Sequence, residues 1–211
     1  MNRDQITLLF DGWAAKMQTN RIYLIELDSV VGDGDLGLTM SDGFAAVAKS
    51  VRTNPETDLG KVLYQAGKIM SQAVPSTMGT LIAAGLMQAG KYANGMLSFD
   101  LASFAGCMNA FYEGIRKLGK AEPGEKTILD GLAPAVQALA TQAAVQADWP
   151  AAFQAAAKAA CQGFDDTAMM VAVHGRAAIH GEYSRSLKDP GAAVAMLLMQ
   201  TLAELTNEFP S

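Results

Sequence analysis

The sequence predicts an all-α fold, a bundle or barrel of about eight helices. Three observations predict it. Apolar residues recur at three- and four-residue steps through nearly every segment, the period of a helix with one buried face. No segment makes a convincing strand: residues 22–27 could form a short one, but no second strand is available to pair with it. Alanine and glycine stand at many helical positions, which suits closely packed helices. The 211 residues show no internal repeat and no break in composition, so a single domain over 1–211 is expected.

Asp4 is placed to cap a first helix that runs to Met17. The apolar run 22–27 leads into Asp28-Ser-Val-Val-Gly-Asp-Gly-Asp-Leu-Gly-Leu-Thr39. Carboxylates alternate with glycine there, so the stretch reads as a tight turn rather than a helix or strand. Residues 40–51 resume the helical pattern, with Phe44, Val47 and Val51 on one face. The polar linker 52–57 separates them from a helix over 58–73. Pro75-Ser-Thr-Met-Gly-Thr80 interrupts the signal, 81–92 resumes it, and Asn94-Gly95 ends it. Asp100 caps a helix through Leu118, and Gly119 stops it. The polar turn 120–126 leads into a helix over 127–147. Pro150 lies in the first turn of an alanine-rich helix over about 149–173. Residues 181–191 read as a loop, and a final helix covers 192–208.

Half of the residues are apolar, 18% are charged, and the net charge is −5. There is no basic run, which argues against a nucleic-acid partner. Cys107 and Cys161 lie far apart without metal-type spacing, so both are expected as buried apolar residues of a reducing compartment. The twelve methionines read as core filler at helical spacing. The first residues carry no signal-peptide pattern, and no apolar stretch is long enough to span a bilayer. A cytoplasmic protein without a membrane partner is expected.

Four segments could carry chemistry. The first holds Asp28, Asp33 and Asp35. Three converging anions repel one another unless a cation sits between them. Two readings fit the segment alone: a solvated surface turn, or a site for a divalent cation. Oxygen-only donors favour a hard cation such as Mg²⁺, which usually completes its shell with water and substrate phosphates. The aspartate spacing is not that of an EF-hand. The second segment, Pro75-Ser-Thr-Met-Gly79, precedes a helix. Its hydroxyls and amides could hold an anion, or Ser76 or Thr77 could simply cap the helix. The third, residues 119–128, reads locally as a solvated helix–helix turn capped by Thr127. The fourth contains His174-Gly-Arg176 and Lys188-Asp-Pro-Gly191. Arg176 could bind a phosphate bidentately or stand at the surface. His174 and His180 are the only histidines, and either could act as a base or accept a covalent group.

Together these segments resemble the nucleotide-binding L subunit, or L domain, of the dihydroxyacetone kinase family. The acidic stretch resembles that family's Gly-Asp-Gly-Asp-His-Gly motif with its upstream aspartate. Pro-Gly-Glu-Lys-Thr-Ile-Leu-Asp130 is similar to its Gly-Asp-Lys-Thr-Met segment. Gly175-Arg-Ala-Ala, Gly181-Glu and Asp189-Pro-Gly-Ala192 resemble its C-terminal signature. The motifs keep the family's order from about residue 5 to 205.

The resemblance implies an antiparallel eight-helix barrel with the nucleotide in loops at one end. It implies two Mg²⁺ ions on Asp28, Asp33 and Asp35, and ADP or ATP as the nucleotide. Nucleotide contacts carry over to Leu36, Gly37, Leu38 and Thr39, to Thr77, Met78 and Gly79, to Gly119 and Ile128, and to Arg176, Asp189, Pro190 and Gly191. Arg176 is the residue implied to steady the transferring phosphoryl group. There are two departures from the family pattern: Leu36 replaces a histidine, and Thr77-Met78 replaces a pair of serines. The implied activity is phosphoryl transfer to dihydroxyacetone, or a related small ketose, held on a separate K subunit. Either ATP is the direct donor, or bound ADP is recharged by a phosphotransferase-system protein; the second mode is preferred. A homodimer is a further assembly the family allows. The alternative is a Mg-nucleotide-binding regulatory partner without catalysis.

Overall fold

The computed structural model describes residues 1–208. Among them there are nine α-helices and no strand: α1 (Arg3–Thr19), α2 (Arg21–Val31), α3 (Leu36–Thr53), α4 (Leu59–Ala73), α5 (Thr77–Tyr92), α6 (Leu101–Gly119), α7 (Ile128–Ala144), α8 (Trp149–Asp166) and α9 (Pro190–Glu204). Three short 3₁₀ turns, Thr167–Met169, Arg176–Ser184 and Thr206–Glu208, complete the chain.

The helix starts follow from capping chemistry. Asn2, rather than the expected Asp4, caps α1, taking the Gln5 amide while the Gln5 side chain returns the bond. Asp58, Ser76, Asp100, Thr127, Asp148 and Asp189 cap α4 to α9 in turn. Pro150 and Pro190 sit within the first turns of α8 and α9, where a missing N–H costs nothing.

Eight helices close a ring in the order α1, α3, α4, α5, α6, α7, α8, α9 and back to α1. Neighbours run antiparallel. Gly60 and Gly67 of α4 meet Asn94 and Ala83, so the start of α4 lies beside the end of α5. Gly163, late in α8, lies against Asp130 at the start of α7. Trp13 Nε1 of α1 donates to the Leu198 carbonyl of α9 at 3.0 Å and closes the ring. The interior is filled by Phe10, Phe44, Met17, Met40, Met70, Ile82 and Phe153, each almost fully buried. The eight-helix barrel expected from the sequence is therefore present, with α2 added outside it against α3 and α9.

Other local expectations also differ. Residues 22–27, an apolar run with a short strand as the alternative, form the body of α2. The stretch 28–39 is not one turn: Asp28 stands in the last turn of α2, Leu36–Thr39 open α3, and only 32–35 are irregular. Gly119 is the last helical residue of α6; Lys120, at φ +53°, makes the left-handed stop instead. The helix expected to reach Val173 ends at Asp166, and the expected loop contains a 3₁₀ turn before α9 begins at Pro190. Cys107 is buried as expected, whereas Cys161 is half-buried, its Sγ accepting from Gln200 Nε2 at 3.3 Å.

Antiparallel closure has one consequence for chemistry. The starts of α3, α5, α7 and α9 share an end of the barrel. A Cβ built on Gly191 at the start of α9 would lie 3.0 Å from the Ile128 amide of α7 and from Met78 Cε of α5. Gly43, early in α3, faces Met70 and Val74 at the end of α4 and so belongs to the same end.

Candidate functional site

The site grows from the hinge between α2 and α3. Gly34 adopts φ +74°, a left-handed conformation that lets the four-residue turn reverse the chain. Asp28 reaches across the turn, and its Oδ2 accepts the Leu36 amide at 3.3 Å. Asp33 and Asp35 stand exposed on the turn itself. One carboxylate oxygen from each of Asp28, Asp33 and Asp35 lies within 4.8 Å of the others. Burial, then the charges of Asp33 and Asp35, push the Asp28 carboxyl above its ordinary range, while the Leu36 and Gly34 amides pull it down. A divalent cation would relieve that repulsion, and the all-oxygen donor set fits Mg²⁺.

Arg176 arrives from the segment between α8 and α9 and pairs with Asp33 at 2.7 Å. Its side chain is 67% exposed. Sequence residues far apart in the chain, 33 and 176, thus meet at the acidic turn.

Helix starts share this end of the barrel. Ser76 Oγ accepts the Gly79 amide at 3.0 Å, so the capping reading of Pro75–Gly79 holds. The first-turn amides of Thr77 and Met78 have no intrahelical acceptor, so the same turn keeps anion-binding capacity. Thr127 caps α7 through the Leu129 amide, and Asp130 takes the Thr127 and Gly124 amides at 2.6 and 2.5 Å. Asp189 caps α9 through Ala192 at 2.7 Å. Its burial pushes the carboxyl up to about 7, against the pull of the Ala192 amide. Gly119 at the end of α6 lies beside Leu81 of α5.

The remaining expected residues divide by exposure. Leu36, Gly37 and Thr39 are buried, and Leu38 is the one side chain of that stretch open to solvent. Gly37 permits the packing of α2: a Cβ there would collide with the Arg21 carbonyl. Ile128, Pro190 and Gly191 are buried at the starts of their helices. Among the two histidines, His174 Nε2 pairs with Glu125 Oε2 at 2.6 Å, and His180 is exposed.

Sequence reasoning missed the interior of the 119–128 turn. Lys126 is not solvated: it is 2% exposed, and its Nζ donates to the carbonyls of Met170, Ser184 and Leu187 at 3.2, 2.5 and 2.5 Å. Those acceptors are backbone groups, which carry no residue-type signal in a sequence.

The model of the DAK2 domain family matches residues 30–204. The chain is 31% identical over 208 residues to the PEP-dependent dihydroxyacetone kinase, ADP-binding subunit DhaL, of Escherichia coli (strain K12), covering 99% of each protein. It is 34% identical over 187 residues to the L-erythrulose 1-kinase of Mycolicibacterium smegmatis, covering 88% of this chain and 32% of that protein. The crystal structure of the dihydroxyacetone kinase from C. freundii in complex with AMP-PNP and Mg²⁺ superposes with a TM-score of 0.75 at 22% identity, covering 95% of this chain and 34% of that one. That likeness is one of fold. The chain spans about a third of the length of these last two proteins.

Proposed function

The chain belongs to the DAK2 domain family, and from that premise we propose that it is the ADP-binding, phosphoryl-donating subunit of a dihydroxyacetone kinase. The observation that carries the reading is the acidic turn. Asp28, Asp33 and Asp35 offer three oxygens within 4.8 Å of one another, with Arg176 already on Asp33. Carboxylates alone would repel a phosphate; carboxylates with a cation, an arginine and helix starts would hold one.

Asp28, Asp33 and Asp35 would hold two Mg²⁺ ions. When bound, they supply positive charge between the carboxylates and the phosphate oxygens. The chain's own groups do the rest. The first-turn amides of Thr77 and Met78 at the start of α5 would meet the phosphates with the positive end of that helix. Arg176 is exposed enough to exchange Asp33 for a phosphate oxygen, and its planar fork would steady charge on the transferring group. Leu38 presents an apolar surface suited to the rest of the nucleotide. No general base is assigned to this chain, so the acceptor hydroxyl would be activated on a separate substrate-holding K subunit.

The E. coli relative, matched along its whole length, is named both PEP-dependent and ADP-binding. That name supports the mode in which ADP stays bound and a phosphotransferase-system protein recharges it. The acceptor is dihydroxyacetone or another short ketose, since relatives named for dihydroxyacetone and for erythrulose both match.

Calorimetric titration with Mg-ADP tests the reading. Asp33→Ala should abolish Mg²⁺-dependent ADP binding and leave the helical circular dichroism unchanged. An unaltered titration in that variant would sink the assignment. Nucleotide released from the purified protein separates the two modes: ADP in near-stoichiometric amount supports the recharged cofactor, and freely exchanging ATP supports direct transfer.

A further inference from the structure

The excursion between α8 and α9 leaves the barrel after Asp166 and returns at Pro190. It carries Arg176 at the start and Ser184 at the end of two 3₁₀ pieces joined by a kink at Gly181, φ +51°. Lys126 lies across the base of this excursion, on the turn before α7. Its ammonium takes the Met170 carbonyl of the outgoing strand of chain and the Ser184 and Leu187 carbonyls of the returning one. Three donors meet three acceptors, so the ammonium is fully satisfied without a carboxylate in contact. The backbone of Lys126 adopts φ +62°, a conformation uncommon outside glycine, and the side chain is aimed inward from it. The two legs also hold each other: Ala172 N donates to Ser184 Oγ at 2.9 Å and Ser186 N to the Ala168 carbonyl at 2.8 Å.

We infer that Lys126 is a positioning residue for phosphoryl transfer: it pins both legs of the 170–187 excursion and thereby sets where Arg176 meets the acidic turn. The inference rests on the reading of Arg176 as a phosphate contact. Lys126 acts through that arginine and touches no phosphate itself. Without it, one buried and two partly buried carbonyls lose a donor together, and the excursion loses the anchor on its returning leg.

The test is a double-mutant cycle read by Mg-ADP titration, with amide hydrogen exchange in parallel. Lys126→Met should weaken Mg-ADP binding about tenfold, speed exchange across 170–187, and leave exchange in the core of α4 to α6 slow. Arg176→Ala should weaken binding without loosening 170–187. The double variant should bind no more than about twofold worse than Arg176→Ala alone, because the lysine then has nothing left to position. Losses that multiply in the double variant overturn the inference, as does wild-type affinity in Lys126→Met. If Arg176→Ala binds like the wild type, the phosphate-contact reading fails, while loosening of 170–187 in Lys126→Met alone still marks the pin. If Lys126→Met does not fold, Lys126→Gln takes its place, keeping a donor for part of the carbonyl set. Should neither fold, exchange in the nucleotide-free wild type decides: slow amides across 170–187 support a pinned segment, and fast ones overturn it.

Discussion

Asp28 and Asp189 hold their protons more tightly than ordinary carboxylates, and the causes differ enough to predict different behaviour. Asp28 is raised by burial and then by two like charges beside it, Asp33 and Asp35. A bound cation would cancel the second cause, so Mg²⁺ should lower the Asp28 pKa and release protons as it binds. Asp189 is raised to about 7 mainly by burial at the start of α9. Its folded value lies above the unfolded one, so its contribution to stability is fully present below about pH 4. That contribution is lost as the pH climbs through 7. Asp189→Asn keeps a capping oxygen and removes the titration. The wild type should therefore lose up to about 1.4 kcal/mol per pH unit relative to Asp189→Asn between pH 4 and 7. Urea melts of the two proteins across that range measure it, and parallel stability curves would show that Asp189 does not titrate there.

At the scale of elements, what the sequence disclosed depended on whether the signal was local. Helices α3 to α9 were legible because period and caps lie within a few residues, as Asp58, Asp100 and Thr127 illustrate. The acidic turn and its partner Arg176 were legible because few residue types do that chemistry. Helix α2 was not, because its apolar run was short and its exposed face carries Ile22, Tyr23 and Val30. Lys126 was hidden for a related reason: its acceptors come from backbone 44 to 61 residues away. The join of α2 to α3 shows how a packing contact can set where the site's carboxylates stand. A Cβ at Gly37 would strike the Arg21 carbonyl and lie 2.8 Å from Ile25 Cγ1. Gly37→Ala should push α2 off α3 and carry Asp28 away from Asp33 and Asp35. Overpacking of this kind costs about 1–3 kcal/mol in stability. The displaced aspartate should cost Mg²⁺ affinity more than tenfold, about 1.4 kcal/mol or more. A variant that melts lower but titrates Mg²⁺ as before would show that Asp28 does not depend on this contact.

The whole molecule is a ring, and a ring has no end from which to unravel. Its seam is where α1 meets α9, and Trp13 is one of the residues that join them. Its indole is 6% exposed, stands edge-on to Phe10 at 5.1 Å and to Phe44 at 6.0 Å, and donates to the Leu198 carbonyl. One side chain therefore ties α1, α3 and α9 together. The start of α9, with Asp189 and Gly191, belongs to the candidate site, so the seam and the site share an element. Trp13→Ala removes the ring contacts and the second donor on the Leu198 carbonyl, a loss of about 3–5 kcal/mol. For a chain of this size that lowers the melting temperature by roughly 6–20 °C. Because the ring is continuous, the melt should remain a single transition, with calorimetric and van't Hoff enthalpies equal. Saturating Mg-ADP should recover part of the loss, about 2.7 kcal/mol at a hundredfold excess over its dissociation constant, since the ligand binds the closed ring and not the open chain. Two separated transitions in Trp13→Ala would mean that α1 and α9 leave before the rest, and that the seam is an accessory to the barrel rather than its closure.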